Sequence, residues 1–331
     1  MAILSIQDAY TKLSEQLTSK QPLFVSRIGG SDTDAVANYF TRDLSPSSME
    51  QHYRKFIPIC KSYNGFYSFR DEKSDYDQYI AEMDFCYRRS RFLTVIGKKL
   101  QSEFFPANLN PKQLLELQQR KHILSPSILE LSQYMKSLLA FELIDCTSYV
   151  FVGKVIKDNY TLFRLLSQVL EGKRVLIVSP FERSIMANFA NRTRFFKGDY
   201  KYPEFTPLFV NSPITYSGLP PELYPHQSWH ETLDHLKRQV SGMDFDIALL
   251  ACGSYALPIG TLIAEKLGRQ ALYVGGLLQL FFGIAGRRYQ NDFFLSQINA
   301  DVQIEPLEKN KYIEHISIEA DAPTEAFGAY F

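Results

Sequence analysis

Between residues 245 and 289 the chain twice runs from a short apolar segment into a glycine turn and out again as an apolar helix. Few architectures other than a parallel sheet covered by helices can hold that pattern. Asp246-Ile247-Ala248-Leu249-Leu250-Ala251 is nearly unbroken in its apolar character, as a strand covered on both faces must be. It ends in Cys252-Gly253-Ser254, and Ser254 is expected to cap a helix that begins near Ala256, with Pro258 in the first turn, where a missing N–H does no harm. Leu262, Ile263 and Leu267 supply a buried stripe and Gly268 the stop. Gln270-Ala271-Leu272-Tyr273-Val274 returns as a strand, and Gly275-Gly276 turns it into the next helix. Both turns set N–H groups and helix N-termini at the carboxyl ends of parallel strands, a place that suits a diphosphate.

Residues 247–264 carry no charged side chain, which meets the length of about 18 residues at which a membrane span is considered. Gly253-Ser254 and Pro258 interrupt the run and its periodicity changes, so strand then helix explains it better. The first residues lack a basic leader and reach Asp8 before any long apolar core, unlike a secretion signal. In 331 residues, Lys+Arg and Asp+Glu number 36 each, which gives no field to attract a polyanion and argues against a nucleic-acid partner. Cys60, Cys86, Cys146 and Cys252 are dispersed and form no CxxC pair, so neither a zinc site nor a disulfide framework follows, and a reducing, cytoplasmic setting is expected.

Along the chain, residues 5–17 read as a helix and 23–28 as a strand, followed by Gly29-Gly30-Ser31-Asp32 and a second helix from about Asp34. Residues 44–145 read as mainly helical and are expected to be an insertion, with helices near 76–91 and 126–139 and a loop at 104–111. From 146 the alternating pattern resumes. Strands are expected at 149–152, 174–178 and 205–210, and helices at 162–170 and 228–240. The order predicts an α/β fold: a mostly parallel sheet with helices on both faces, built from residues 1–43 and 146–331.

Arg27-Ile28-Gly29-Gly30-Ser31-Asp32 resembles the R-[FI]-G-D-G-E loop of GT-D type glycosyltransferases, a Rossmann-like class of nucleotide-sugar enzymes. Val175 to Phe181, Cys252 to Pro258, Gly275-Gly276 with Gln279, Phe282-Gly283-Ile284 and Gly286-Arg287-Arg288-Tyr289 are similar to blocks found in polysaccharide-locus proteins of that kind. The resemblance covers both ends of the chain and leaves the middle unassigned. It implies a nucleotide-sugar donor, a glycan or lipid-linked acceptor, and peripheral contact with the inner face of a membrane. It departs from the family in one respect: Gly30 stands at the first acidic position of the family's D-x-E motif and Asp32 at the second. One carboxylate holds a divalent ion such as Mn or Mg less firmly than two, so Asp32 alone is the metal candidate.

Glycosyl transfer requires stabilisation of the departing diphosphate and removal of a proton from the acceptor hydroxyl. The expected phosphate donors are backbone N–H groups at Gly253, Ser254, Gly275 and Gly276, with Arg27 or Arg287 as a fixed cation whose planar fork suits paired oxygens. Gly29, Gly30, Ser31, Ser179, Tyr255 and Gln279 complete the candidate binding set. Asp32 is the leading general base; Asp34 and Glu182 are alternatives, and Glu182 equally serves the dipole of the helix it begins. Each has a plainer reading: glycines after strands form turns, Arg27 can tie loops together, and Arg287-Arg288 can snorkel from an apolar helix. His230-Glu231 with His235 is HExxxH rather than HExxH and would diverge on one helix. The basic and aromatic residues of 192–202 read as a solvated helix end with rings tucked inward. Two other classes stay open: a binding protein of the same fold without catalysis, favoured by Gly30, and a nicotinamide- or adenosylmethionine-dependent enzyme.

Overall fold

The computed structural model describes residues 6–26, 30–89, 91–96, 149–152, 155–198, 200–216, 219–286 and 298–312. Seven strands form one sheet: β1 (Leu23–Ser26), β2 (Arg91–Ile96), β3 (Tyr149–Val152), β4 (Arg174–Ser179), β5 (Thr206–Asn211), β6 (Ile247–Leu250) and β7 (Gln270–Tyr273). Every pairing is parallel, in the order β3-β2-β1-β7-β6-β4-β5. The apolar runs that looked doubly covered are so. In β4, Val175 and Ile177 join one buried cluster and Leu176 and Val178 the other; β6 divides in the same way into Ile247 and Leu249 against Ala248 and Leu250.

One face carries α1 (Ile6–Thr18), α5 (Val155–Leu170), α6 (Glu182–Asn188) and α9 (Leu277–Phe281). The other carries α2 (Gly30–Thr41), α3 (Pro46–Ile59), α4 (Glu72–Arg89), α7 (Trp229–Ser241) and α8 (Ala256–Glu265). The apolar run that invited comparison with a membrane span is thus β6 followed by α8, and among the described residues no helix is long and apolar enough to cross a bilayer. A short α10 (Lys309–Tyr312) follows the last described loop.

The stretch 44–145, expected to be mainly helical, contains β2, which pairs with β1 and β3 and so belongs to the main sheet. Likewise α3 and α4 contribute Phe56, Tyr76, Tyr79 and Met83 to the same buried cluster as β4 and β6. The helix near 126–139 and the loop at 104–111 lie outside the described residues.

Two local features place the edge of the sheet described below. Pro58, which has no N–H to return to the preceding turn, disturbs the end of α3, and Cys60–Asn64 continues as a π-helix. Gly65 ends it at φ +74°, with its N–H on the Cys60 carbonyl, a conformation other side chains resist. On α8, Gly260 lets the helix lie directly on β1: a Cβ there would stand 2.1 Å from Cε2 of Phe24.

Candidate functional site

The strand order brings four separated sequence blocks to one edge. The carboxyl ends of β1, β7, β6 and β4 are consecutive in the sheet. They lead into the first turn of α2, Gly275-Gly276, Gly253-Ser254 and Ser179 to Glu182, respectively. The segments leave toward alternating faces: α2 and α8 lie on one, α9 and α6 on the other. Divergence of this kind at the carboxyl edge marks where open α/β sheets take their ligands. Strand spacing of about 4.8 Å puts the ends of β1 and β4 roughly 14 Å apart along the edge. The backbone of α2 sets Asp32 and Asp34 at the β1 end of this rim, and that of α6 sets Glu182 at the β4 end.

The loop after β6 is pinned from below. Gly253 has φ +58°, and the carbonyl of Asn64, at the end of the π-helix, lies 3.8 Å from where its Cβ would be. The Ser254 hydroxyl donates to that carbonyl at 2.7 Å and accepts from Trp229 Nε1 at 2.9 Å. Ser254 is thus not the expected helix cap: residues Gly253–Tyr255 form a 3-10 turn, and α8 has Tyr255 at its N-cap position without a side-chain bond. The Tyr255 ring is buried, stacked on Trp229 at 5.2 Å, with its hydroxyl 3.2 Å from Thr215 Oγ1. Burial holds that phenol far above its ordinary pKa. Thr215 in turn donates to the Gly65 carbonyl at 2.6 Å. Ser254 and Tyr255 therefore contribute to any ligand through backbone alone.

The loop after β7 needs a second correction. The N–H groups of Val274 and Gly275 both donate to the Leu250 carbonyl at 3.0 Å, which ties this loop to the end of β6 and takes Gly275 out of the expected set of phosphate donors. Gly275 serves through its φ of +66°. Among the described residues, the backbone bonds of turns and loops leave the N–H groups of Gly253, Ser254 and Gly276 unused. Gln279 is buried in α9, and its carbonyl accepts from Phe282 and Ile284 to close the helix. Phe281 and Phe282 are buried as well.

At β4, the Ser179 hydroxyl accepts from the Phe181 N–H at 3.2 Å and shapes its own turn. Glu182, half-buried in the first turn of α6, makes no ion pair among the described residues. Two residues on, Ser184 is met by a carboxylate from far along the chain: Glu308, buried, accepts from the Ser184 N–H at 3.1 Å and from its hydroxyl, while the Leu307 N–H donates to that hydroxyl at 2.8 Å. Sequence reading missed Glu308, because nothing local marks a cap supplied from another part of the chain.

Arg27, Gly29 and Arg287 lie outside the described residues. Gly30, Ser31, Asp32 and Asp34 are placed by the backbone of α2. Among the described residues no three His, Cys, Asp or Glu side chains gather as a metal would require. His230 Nε2 lies 3.0 Å from the Asp75 carbonyl, whereas His235 has its ring 5.2 Å from His226, so the two histidines of the HExxxH stretch diverge as expected. In 192–202, Phe195, Phe196 and Tyr202 are buried while Arg192 and Arg194 pair with Glu204 and Asp301, the solvated pattern expected of that stretch. Cys60, Cys86 and Cys252 are buried and none is in a disulfide among the described residues; burial raises the Cys86 thiol to about 12 and the Cys252 thiol further, which makes these two inert.

No family model and no curated protein matches the chain. Among solved structures, one chain aligned over 83% of this sequence and 78% of its own has 13% identity and a TM-score of 0.42; its description reads "The highly conserved domain of unknown function 1792 has a distinct glycosyltransferase fold".

Proposed function

We propose that this chain is a nucleotide-sugar-dependent glycosyltransferase that passes a sugar to a glycan or lipid-linked acceptor of surface polysaccharide. One observation carries the reading: four loops that resemble the blocks of GT-D type enzymes leave adjacent strands at one carboxyl edge. The donor lies along that edge. Its diphosphate meets the free N–H groups of Gly253, Ser254 and Gly276, which stabilise charge as the sugar departs. Arg27 and Arg287 are the cations assigned to the same oxygens, and Asp32 receives the proton of the attacking hydroxyl. The rim length of roughly 14 Å accommodates an extended diphosphate between a sugar at the β1 end and a nucleoside toward β4. A lipid-linked acceptor would bring the protein to the inner face of a membrane.

A melting screen with UDP, GDP, CDP and dTDP, each with and without manganese, tests this. One of the four is expected to stabilise the protein, by about 2.7 kcal/mol at a hundredfold excess over Kd. Asp32→Ala is expected to keep that stabilisation and lose transfer. Stabilisation by nicotinamide or adenosylmethionine cofactors alone would refute the reading. Gly30 in place of an acid favours a second one, a binding protein without turnover; tight nucleotide binding with neither transfer nor donor hydrolysis would establish it.

A further inference from the structure

Ser212 follows the last residue of β5, and its N–H donates to the Ser179 carbonyl at 3.2 Å, so the chain keeps the path of the strand through this residue. It stands two residues beyond Val210, which is buried on the α7–α8 face, and alternation sets Ser212 on that face. The residue is 1% exposed, and among the described residues its hydroxyl has no hydrogen-bond partner. Neighbouring polar groups are engaged elsewhere: Thr215 Oγ1 with Gly65 and Tyr255, Ser179 Oγ with Phe181. A buried hydroxyl without a partner destabilises the state that contains it, and such groups call for a reason. The position supplies one. Strands β4 and β6 are neighbours whose following helices, α6 and α8, leave to opposite faces; Ser212, after β5, stands beside the end of β4 on the side away from β6, one strand from this divergence.

We infer that Ser212 is a recognition residue for the nucleoside of the donor, its hydroxyl completed by a polar group of the base or ribose when the ligand enters at the β4 end of the edge. The inference rests on the proposed function, in which the sugar lies toward Asp32 and the nucleoside at the opposite end. The hydroxyl is covered in the free protein, so binding has to uncover it, and the ligand then satisfies a group that the free fold leaves unsatisfied.

The signature is a change of opposite sign in stability and affinity. In Ser212→Ala the free protein is expected to melt at or above the wild-type temperature, since only an unsatisfied group is removed. The variant should bind the nucleoside diphosphate that stabilises the wild type about tenfold more weakly, the effect of one lost hydrogen bond. Inorganic pyrophosphate, which lacks the nucleoside, should bind both proteins equally. Ser212→Cys, close in size and a weak donor, should reproduce the loss of affinity. Unchanged nucleotide affinity, an equal loss for pyrophosphate, or a lowered melting temperature of the free variant would each overturn the inference while leaving the proposed function intact. If no nucleoside diphosphate binds the wild type, both fall together.

Discussion

Gly260 offers the sharpest test of how the edge is held in place. A methyl group there would stand 2.1, 2.3 and 2.4 Å from Cε2, Cζ and Cδ2 of Phe24, where ordinary carbon contacts lie at about 3.5–4.0 Å. Either α8 or the ring must move by more than about 1 Å, and Phe24 is 4% exposed on a strand paired on both sides. Two terms oppose each other in Gly260→Ala. Helix propensity favours alanine by about 1 kcal/mol, whereas overpacking of a filled core costs about 3 kcal/mol at this degree of overlap. The overlap wins, and the variant is expected to be about 2 kcal/mol less stable than wild type in urea unfolding, with an unchanged denaturant slope. Phe24→Leu shortens the group in conflict, so the double variant should be at least about 1 kcal/mol more stable than the sum of the single changes. The same shift separates the loops after β1 and β6, and nucleotide-induced stabilisation should fall with it. A Gly260→Ala protein as stable as wild type, or strict additivity with Phe24→Leu, would refute this account of the packing.

Ser254→Ala leaves both Trp229 Nε1 and the Asn64 carbonyl without their buried partner, and a loss of about 2 kcal/mol is expected. Trp229 is the only tryptophan of the chain, so a change in its emission reports the broken bond directly; an unaltered spectrum and midpoint would count against the role given to Ser254. His52 is buried against Phe56 and Tyr76, and burial, with Arg42 and Lys55 nearby, lowers its pKa from 6.5 to about 4. The unfolded chain then takes up the proton first as pH falls, so the stability held above about pH 6.5 is lost progressively down to about pH 4, by about 2 kcal/mol once partial solvation is allowed for. In His52→Phe this part of the acid dependence should vanish; identical profiles for the two proteins between those limits would exclude His52 as its source.

The strands were legible because parallel strands covered on both faces leave continuous apolar runs, and β4, β6 and β7 begin and end within a residue or so of where such runs do. β2 was not, since Arg91 to Ile96 follows α4 with no glycine, proline or asparagine to mark the change. Capping rules led to the wrong role for Ser254 because they are local, while its partners Trp229 and Asn64 come from other elements. The same holds for Gly275, whose amide goes to a neighbouring strand, and for Glu308. The π-helix left a trace in Pro58 and Gly65, a helix breaker and a helix terminator seven residues apart. Glycine positions at the edge could be read from sequence; which N–H groups remain for a ligand could not, because that depends on strand order.

Strand order also dictates when this protein can be completed. β1 leaves the ribosome long before its partner on one side, β7, which starts only at Gln270. Until then a growing polypeptide carries β1 with a bare ladder on that side, the kind of edge on which aggregation begins. The loops assigned to the donor straddle this last seam, so the binding edge is among the final parts to be assembled, and contacts this remote in sequence make for slow folding. A cell making the protein therefore has reason to shield β1 until β7 has emerged.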